Sequence, residues 1–195
     1  MKPLIKEPDI QYDDILVLKD PAFNQKNVCI VTGCGSGIGR ATTVACAVNN
    51  LMTVGIDIDE KKGKETEKLV KKFKGKMVFI KADLTKDEEV EKAVLESARL
   101  GNIRYLANIA GVQHIDSVEN FPMGKYDFMM SLMLRAPFLL SKLVIPYFKK
   151  NPDGIGVIGN MSSVHGHICT MNKPVYNITK FGLRALSQSI SAEGN

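Results

Sequence analysis

Thr32-Gly33-Cys34-Gly35-Ser36-Gly37-Ile38-Gly39 is the stretch whose reading decides the fold. It follows an apolar run, Val28-Cys29-Ile30-Val31, that reads as a buried parallel strand. It precedes Arg40-Ala41-Thr42-Thr43-Val44-Ala45-Cys46-Ala47, which reads as a helix packed through small residues. Strand, glycine-rich turn and helix together make a phosphate-binding corner. Glycine reaches backbone angles closed to other residues and lets a ligand approach the chain, while the free N–H groups and dipole of the helix start hold an anion. The glycines at 33, 37 and 39 do not follow the G-x-G-x-x-G spacing of the commoner dinucleotide fingerprint, so support has to come from the rest of the chain.

Working outward, a rhythm sets in from Asn27. Strand-like apolar runs fall at 28–32, 52–57, 77–81, 103–109 and 155–161, and helix-like patterns at about 37–49, 60–74, 86–99, 124–149 and 174–193. Gly101-Asn102 and Pro152-Asp153-Gly154 punctuate the gaps. Alternating strands and helices predict an α/β fold with a parallel sheet, in one domain over 27–195. Residues 1–26, with Pro3, Pro8 and Pro21, form an N-terminal extension. Within it, Ile15-Leu16-Val17-Leu18 reads as a short strand, an arm on a neighbouring subunit or a loosely attached leader.

The second strand ends in Asp57, eighteen residues beyond Gly39. An acid there accepts hydrogen bonds from the ribose hydroxyls of an adenine dinucleotide and repels a 2′-phosphate. No Arg or Lys stands before Gly37 in the turn or directly after Asp57, which favours NAD over NADP. The competing role, a helix cap, is one Asp59 can fill. Asp83, followed by Leu84 at the end of the third strand, either faces the adenine or caps the next helix. Small residues in Asn108-Ile109-Ala110-Gly111, at the end of the fourth strand, leave room for a flat ligand.

The chemistry-bearing stretch is the last third. Tyr176 and Lys180 lie one helical turn apart and share a face. An ammonium beside a phenol favours the phenolate, so a Tyr so placed can exchange a proton with an alcohol or ketone. Ser163, thirteen residues before Tyr176 at a strand end, can hydrogen-bond the same substrate oxygen.

Thr32-Gly33-x-x-x-Gly37-Ile38-Gly39, Asn108-x-Ala110-Gly111, Ser163 and Tyr176-x-x-x-Lys180 occur in order and at matching intervals. Over residues 27–193 the chain resembles the short-chain dehydrogenase/reductase family. The resemblance implies a Rossmann-type, doubly wound parallel sheet and hydride transfer between NAD and a carbonyl carbon. It implies Tyr176 as general acid/base, Lys180 on Tyr176 and the nicotinamide ribose, and Ser163 on the reacting oxygen. Gly33, Ser36, Gly37, Ile38, Gly39, Asp57, Asp83, Leu84, Asn108, Ala110 and Gly111, with Tyr176 and Lys180, become the cofactor-binding set. Within the family the pattern Gln113-His114, Ser163-Val164-His165-Gly166 and Lys173 resembles the D-3-hydroxybutyrate dehydrogenases. In that group the matching residues clamp the substrate carboxylate, which implies that role for Gln113, His165 and Lys173. A small anion does need a cation and donors converging near the reacting carbon. Other ketones and 3-oxoacyl thioesters remain alternative substrates.

Two departures stand out. The family's Asn in the long helix after the fourth strand, which holds a relay water, is Met133 here, and a thioether does not bind water as an amide does. This opens the alternative of a catalytically weak, NAD-binding member. The second Asn of the usual N-N-A-G is Ile109, a milder change. The family pattern also continues past the Tyr-Lys helix with further strands and a substrate cover. The resemblance therefore implies a sheet short of one or two strands and a C-terminally incomplete chain. It further implies a homotetramer paired through the two long helices.

Composition is that of an ordinary soluble domain: 45% hydrophobic, 24% charged, net charge +5 with signs interspersed. The basic stretch Lys61–Lys81 carries Glu65 and Glu67 and reads as the wet face of a helix, not as a nucleic-acid or membrane patch. Cys29, Cys34, Cys46 and Cys169 form no CxxC pair, which fits a reducing compartment. No His/Cys/acid cluster suggests a metal. No run reads as long enough to span a bilayer, so a cytoplasmic location is expected.

Overall fold

The apolar run at 28–31 becomes β1 (Asn27–Thr32), every residue of which is buried, as a strand with neighbours on both edges and layers on both faces requires. The computed structural model describes residues 7–194; residues 1–6, Pro3 of the expected extension among them, and Asn195 lie outside the described residues. β1 pairs in parallel with β2 (Met52–Asp57) on one side and β4 (Asn102–Asn108) on the other. β3 (Lys76–Lys81) joins β2 and β5 (Val157–Asn160) joins β4, giving the all-parallel order β3-β2-β1-β4-β5. The order reverses between β1 and β4, which opens a crevice at the carboxyl ends of those strands.

Side chains alternate along β1 and sort the helices into two layers. Val28 and Ile30 join Val54, Ile56 and Leu106 in a core closed by α3 (Asp87–Ala98) and α5 (Ala136–Phe148). Cys29 and Val31 face the other way, where Cys46 of α1 (Gly37–Val48) packs. On that side Val44 and Ala47 also meet Val70 of α2 (Glu60–Lys72). Cys29 donates to Cys46 with the sulfurs 3.7 Å apart, and all four cysteines are free thiols. The lysine-rich face of α2 is threaded with ion pairs, Lys64–Glu67 at 2.9 Å and Lys81–Glu60 at 3.3 Å.

Three expectations about the α/β domain need correction. The fifth strand is shorter than 155–161, because Asn151 takes the Ile155 carbonyl at 2.8 Å and the Phe148 ring fills the space beside Gly156, holding those residues out of the strand. The long helix runs over Met123–Phe148 as expected but is not α throughout: α4 (Met123–Met130) widens into a π turn over Ser131–Arg135 before α5. The Ala136 N–H reaches back five residues to the Ser131 carbonyl. Pro137 explains the widening, since it has no N–H for the Met133 carbonyl and its ring would collide with that carbonyl in an α turn. Finally, Met123–Phe148 is by length and composition apolar enough to cross a membrane, contrary to expectation. Its Ala136, Leu140, Val144 and Phe148, four apart, face the sheet, so much of that apolar character serves the core.

Residues 15–18 form no strand. The Asn49 side chain clamps them to the end of α1, accepting from the Leu18 N–H at 2.7 Å and donating to the Leu16 carbonyl at 3.0 Å. Ile10 and Ile15 pack on the Val44–Val70 cluster and Tyr12 meets Phe73 edge-on at 5.8 Å. The segment is a strap across α1 and α2, not a loose leader.

Candidate active site

Gly33, Gly37 and Gly39 of the turn each have their own reason to be there. Gly33 and Gly37 take left-handed angles, φ 72° and 53°. Gly39 has φ in the ordinary helical range, but a Cβ on it would lie 2.0 Å from the Gly33 carbonyl oxygen. The turn is pinned from outside: the Gly33 N–H donates to the Ile56 carbonyl at 2.8 Å, and Thr66 of α2 donates to the Cys34 carbonyl at 2.9 Å. The Asp57 carboxylate accepts from the Gly35 N–H at 2.8 Å and from the Asp59 N–H at 2.9 Å. Asp59 caps α2, accepting from Lys62 N–H at 3.0 Å, so capping falls to Asp59 and Asp57 closes the glycine turn. Beneath the turn, burial together with the Asp57 carboxylate pushes the Cys34 thiol up to about 12.

The strap ends on this corner. Glu7 accepts a short hydrogen bond from the Gly37 N–H and lies 3.7 Å from the Arg40 guanidinium, which also donates to the Gly35 carbonyl and to Thr66 at 3.1 Å. A carboxylate thus stands at the N-terminus of α1, where an anion is favoured.

From the turn a cleft of about 530 Å³ runs along the strand ends. Gly33, Ser36, Gly37, Ile38, Gly39 and Asp57 line one end, with Asp83 and Leu84 beside them. Ala110, Gly111 and Gln113 line the middle, and Tyr176 and Lys180 the other end. Asp83 does not cap α3; its carboxylate closes a turn onto Thr85, at 2.7 Å from the hydroxyl and 3.0 Å from the N–H. Asn108 lies just beneath the cleft, donating to Asn160 at 2.9 Å while its own buried Oδ1 has no partner. The fork that opens the cleft is tied by Thr32, whose hydroxyl accepts from the Ile109 and Ala110 N–H groups at 2.9 and 3.1 Å. Ile58, Phe128, Leu132 and Met161 also line the cleft and were not among the expected site residues; of these, Phe128 comes from a segment with no motif.

At the far end α6 (Pro174–Glu193) starts with Pro174 and presents Tyr176 and Lys180 one turn apart. The buried Lys180 Nζ lies 5.4 Å from the Tyr176 ring centre and donates to the Met161 carbonyl at 2.6 Å. Burial lowers its pKa from the ordinary lysine value. Ser163, His165 and Lys173 do not line the cleft but cluster beside it, joined through the His165 ring, which meets Tyr176 edge-on at 5.4 Å. Ser163 Oγ is 3.1 Å from His165 Nδ1, and Lys173 Nζ is 3.4 Å from His165 Nε2. Met133, fully buried in the π turn, accepts the Val112 N–H on its sulfur at 3.4 Å. Leu134 of the same turn packs where a side chain on Gly182 would stand. His114 and His167 serve elsewhere, against Phe121 and Arg184 respectively.

The short chain dehydrogenase family profile matches residues 27–195. An uncharacterized oxidoreductase of Thermotoga maritima is 36% identical over 170 residues, 87% of this chain and 66% of its own length. A D-beta-hydroxybutyrate dehydrogenase of Rhizobium meliloti is 30% identical over 167 residues, 84% of this chain and 64% of its own length. A metagenomic short-chain oxidoreductase, solved in complex with NADP, has the same fold, with a TM-score of 0.83 at 24% identity over 87% of this chain and 77% of that one. The chain belongs to the short-chain dehydrogenase family. It spans about two thirds of the length of the two curated relatives.

Proposed function

We propose that the chain carries the cofactor-binding and catalytic part of an NAD-dependent dehydrogenase acting on a small 3-hydroxy acid, with 3-hydroxybutyrate and acetoacetate as the pair to test. The observation that carries this reading is a single cleft that starts at an anion-binding glycine turn and ends on Tyr176 and Lys180. The fit to a dinucleotide rests on the turn itself. Its Gly37 N–H already holds a carboxylate, that of Glu7, and no atom lies within 4 Å of the place a Gly37 side chain would take. Gly33, Ser36, Gly37, Ile38 and Gly39 would hold the pyrophosphate, Asp57 the adenosine ribose, and Asp83 and Leu84 the adenine. Asn108, Ala110 and Gly111 would border the nicotinamide. When bound, the nicotinamide supplies or accepts the hydride. Asp57 supports NAD, because a second anion beside its carboxylate is repelled and Arg40 is already committed to Gly35, Thr66 and Glu7.

Within this reading Tyr176 gives a proton to, or takes one from, the reacting oxygen. Lys180, held by the Met161 carbonyl, fixes that end of the cleft and favours the phenolate. Ser163 donates to the same oxygen. Gln113 and Lys173 hold the substrate carboxylate; His165, expected in the same clamp, has both ring nitrogens engaged, by Ser163 on one side and by Thr170 and Lys173 on the other. Exposed Phe138, Ile178 and Phe181 on α5 and α6 support the assembly of a homotetramer through those helices.

Purified protein should quench or enhance NADH fluorescence more strongly than that of NADPH and should consume NADH when acetoacetate is added. Binding without turnover on a panel of ketones favours the second reading, a catalytically weak member. That reading is supported by Met133, whose buried sulfur already serves Val112. No binding of either dinucleotide overturns both. Lys173→Ala should raise the apparent KM for acetoacetate about 10- to 100-fold and lower kcat less, the loss of one charge-assisted hydrogen bond. Glu7→Ala removes the carboxylate that a pyrophosphate must displace. An anion at a helix start is worth about 0.3–1 kcal/mol, so NADH should bind about two- to fivefold tighter in a fluorescence titration.

A further inference from the structure

The serine that the proposed mechanism uses is wired to groups outside the cleft. Ser163 begins the 3-10 turn Val164–Gly166, which brings His165 back so that its Nδ1 lies 3.1 Å from Ser163 Oγ. The other ring nitrogen, Nε2, lies 2.9 Å from Thr170 Oγ1 and 3.4 Å from Lys173 Nζ. An ammonium has three donors and no acceptor, and a neutral imidazole carries a proton on one nitrogen only. The nitrogen facing Lys173 is therefore the bare one, and its one lone pair is shared between the Lys173 ammonium and the nearer Thr170 hydroxyl, which rotates to donate. The ring proton then sits on Nδ1 and is donated to Ser163 Oγ. With that lone pair occupied by a donor, the Ser163 hydroxyl proton points away from the ring. In the opposite tautomer Nδ1 would take the serine proton, and a ketone oxygen would meet only lone pairs.

We infer that Thr170 and Lys173 are positioning residues that act through the His165 tautomer to aim the Ser163 hydroxyl at the substrate oxygen. This rests on the reading of Ser163 as a donor to that oxygen and assigns His165 to orientation, with the carboxylate left to Lys173 and Gln113. Two further contacts hold the ring in this orientation. Its edge-on contact with Tyr176 at 79° fixes its plane, and Asn177 donates to the Thr170 carbonyl at 3.1 Å, tying the Thr170 loop to α6.

The test is a two-bond proton–nitrogen correlation spectrum of the intact protein labelled with 15N-histidine, recorded in alkaline buffer. The chain has three histidines, and His114→Gln and His167→Gln assign the third by elimination. His165 is expected to give the Nδ1–H pattern, the minor form of a free imidazole. The Thr170→Val/Lys173→Met double variant should shift it to the Nε2–H pattern, while Thr170→Ser should keep the wild-type spectrum. A wild-type His165 in the Nε2–H form, or a double variant that stays Nδ1–H, overturns the inference. If the double variant does not fold, Thr170→Val alone should give a mixture of the two patterns, and an unchanged spectrum overturns it. In turnover, Thr170→Val should lower kcat about tenfold with NADH affinity unchanged, the worth of one well-aimed hydrogen bond. The tautomer is read without substrate, so a flip of the pattern in a protein that reduces no ketone upholds the wiring and overturns the dehydrogenase reading alone.

Discussion

Tyr176→Phe is expected to lower kcat for acetoacetate reduction by about 10²- to 10⁴-fold while NADH still binds with wild-type affinity. The substitution removes one oxygen and leaves the ring. The ring is part of what seats α6: it packs with the Met129, Met133 and Val175 cluster and takes the edge of His165. Lys180 keeps its bond to the Met161 carbonyl, so the buried ammonium does not lose its partner. The melting temperature should therefore stay close to that of the wild type. Stopped-flow absorbance at the NADH band and a fluorescence titration separate the two effects. A variant that retains more than a tenth of the wild-type kcat would show that another group moves the proton, and Tyr176 would then be a packing residue.

The parts of this arrangement that repeat with a period were legible in the sequence. β1, β2 and β3 fall within a residue or so of the apolar runs, because the middles of these parallel strands lie between helix layers and are mostly apolar. The glycine turn, Asp57 and the Tyr176–Lys180 pair were legible for the same kind of reason: fixed spacing on regular elements places them at one edge of the sheet. What escaped depends on side chains meeting across unrelated loops. Glu7 reaches Gly37 over thirty residues through a strap whose only sequence trace is a scatter of apolar residues clamped by Asn49. Thr170 reaches His165 inside an irregular loop, where no periodicity constrains direction. The π turn did leave a signal: Pro137, four residues after Met133, disfavours an α turn before it, and the long helix widens there.

Gly39→Ala should be the most damaging single-methyl change in the chain. Two residues earlier, Gly37→Ala adds a methyl into open space and suffers only from its φ of 53°, a cost of about 1–2 kcal/mol. At Gly39 the backbone angle is unexceptional and the space is absent: the added carbon would stand 2.0 Å from the Gly33 oxygen, 2.6 Å from its carbonyl carbon and 3.1 Å from the Thr32 oxygen. All three are backbone atoms, so no rotamer relieves the contact. Nor can Gly33 retreat, since its N–H is bonded to the Ile56 carbonyl and a side chain there would already touch Ala110 at 3.0 Å. The helix must move instead, and α1 carries the Gly37 N–H that serves the anion. Overpacking of this kind costs about 3 kcal/mol, which in a domain of this size lowers the melting temperature by about 6–12 °C. The same displacement should weaken NADH binding at least tenfold, and the stabilisation by NADH in a thermal melt should shrink with it. Gly37→Ala should lose less stability and keep the melting shift. If Gly39→Ala melts and binds like the wild type, the close approach of α1 to the turn is not what holds the phosphate corner together, and the strap with its Glu7 contact becomes the element that positions α1.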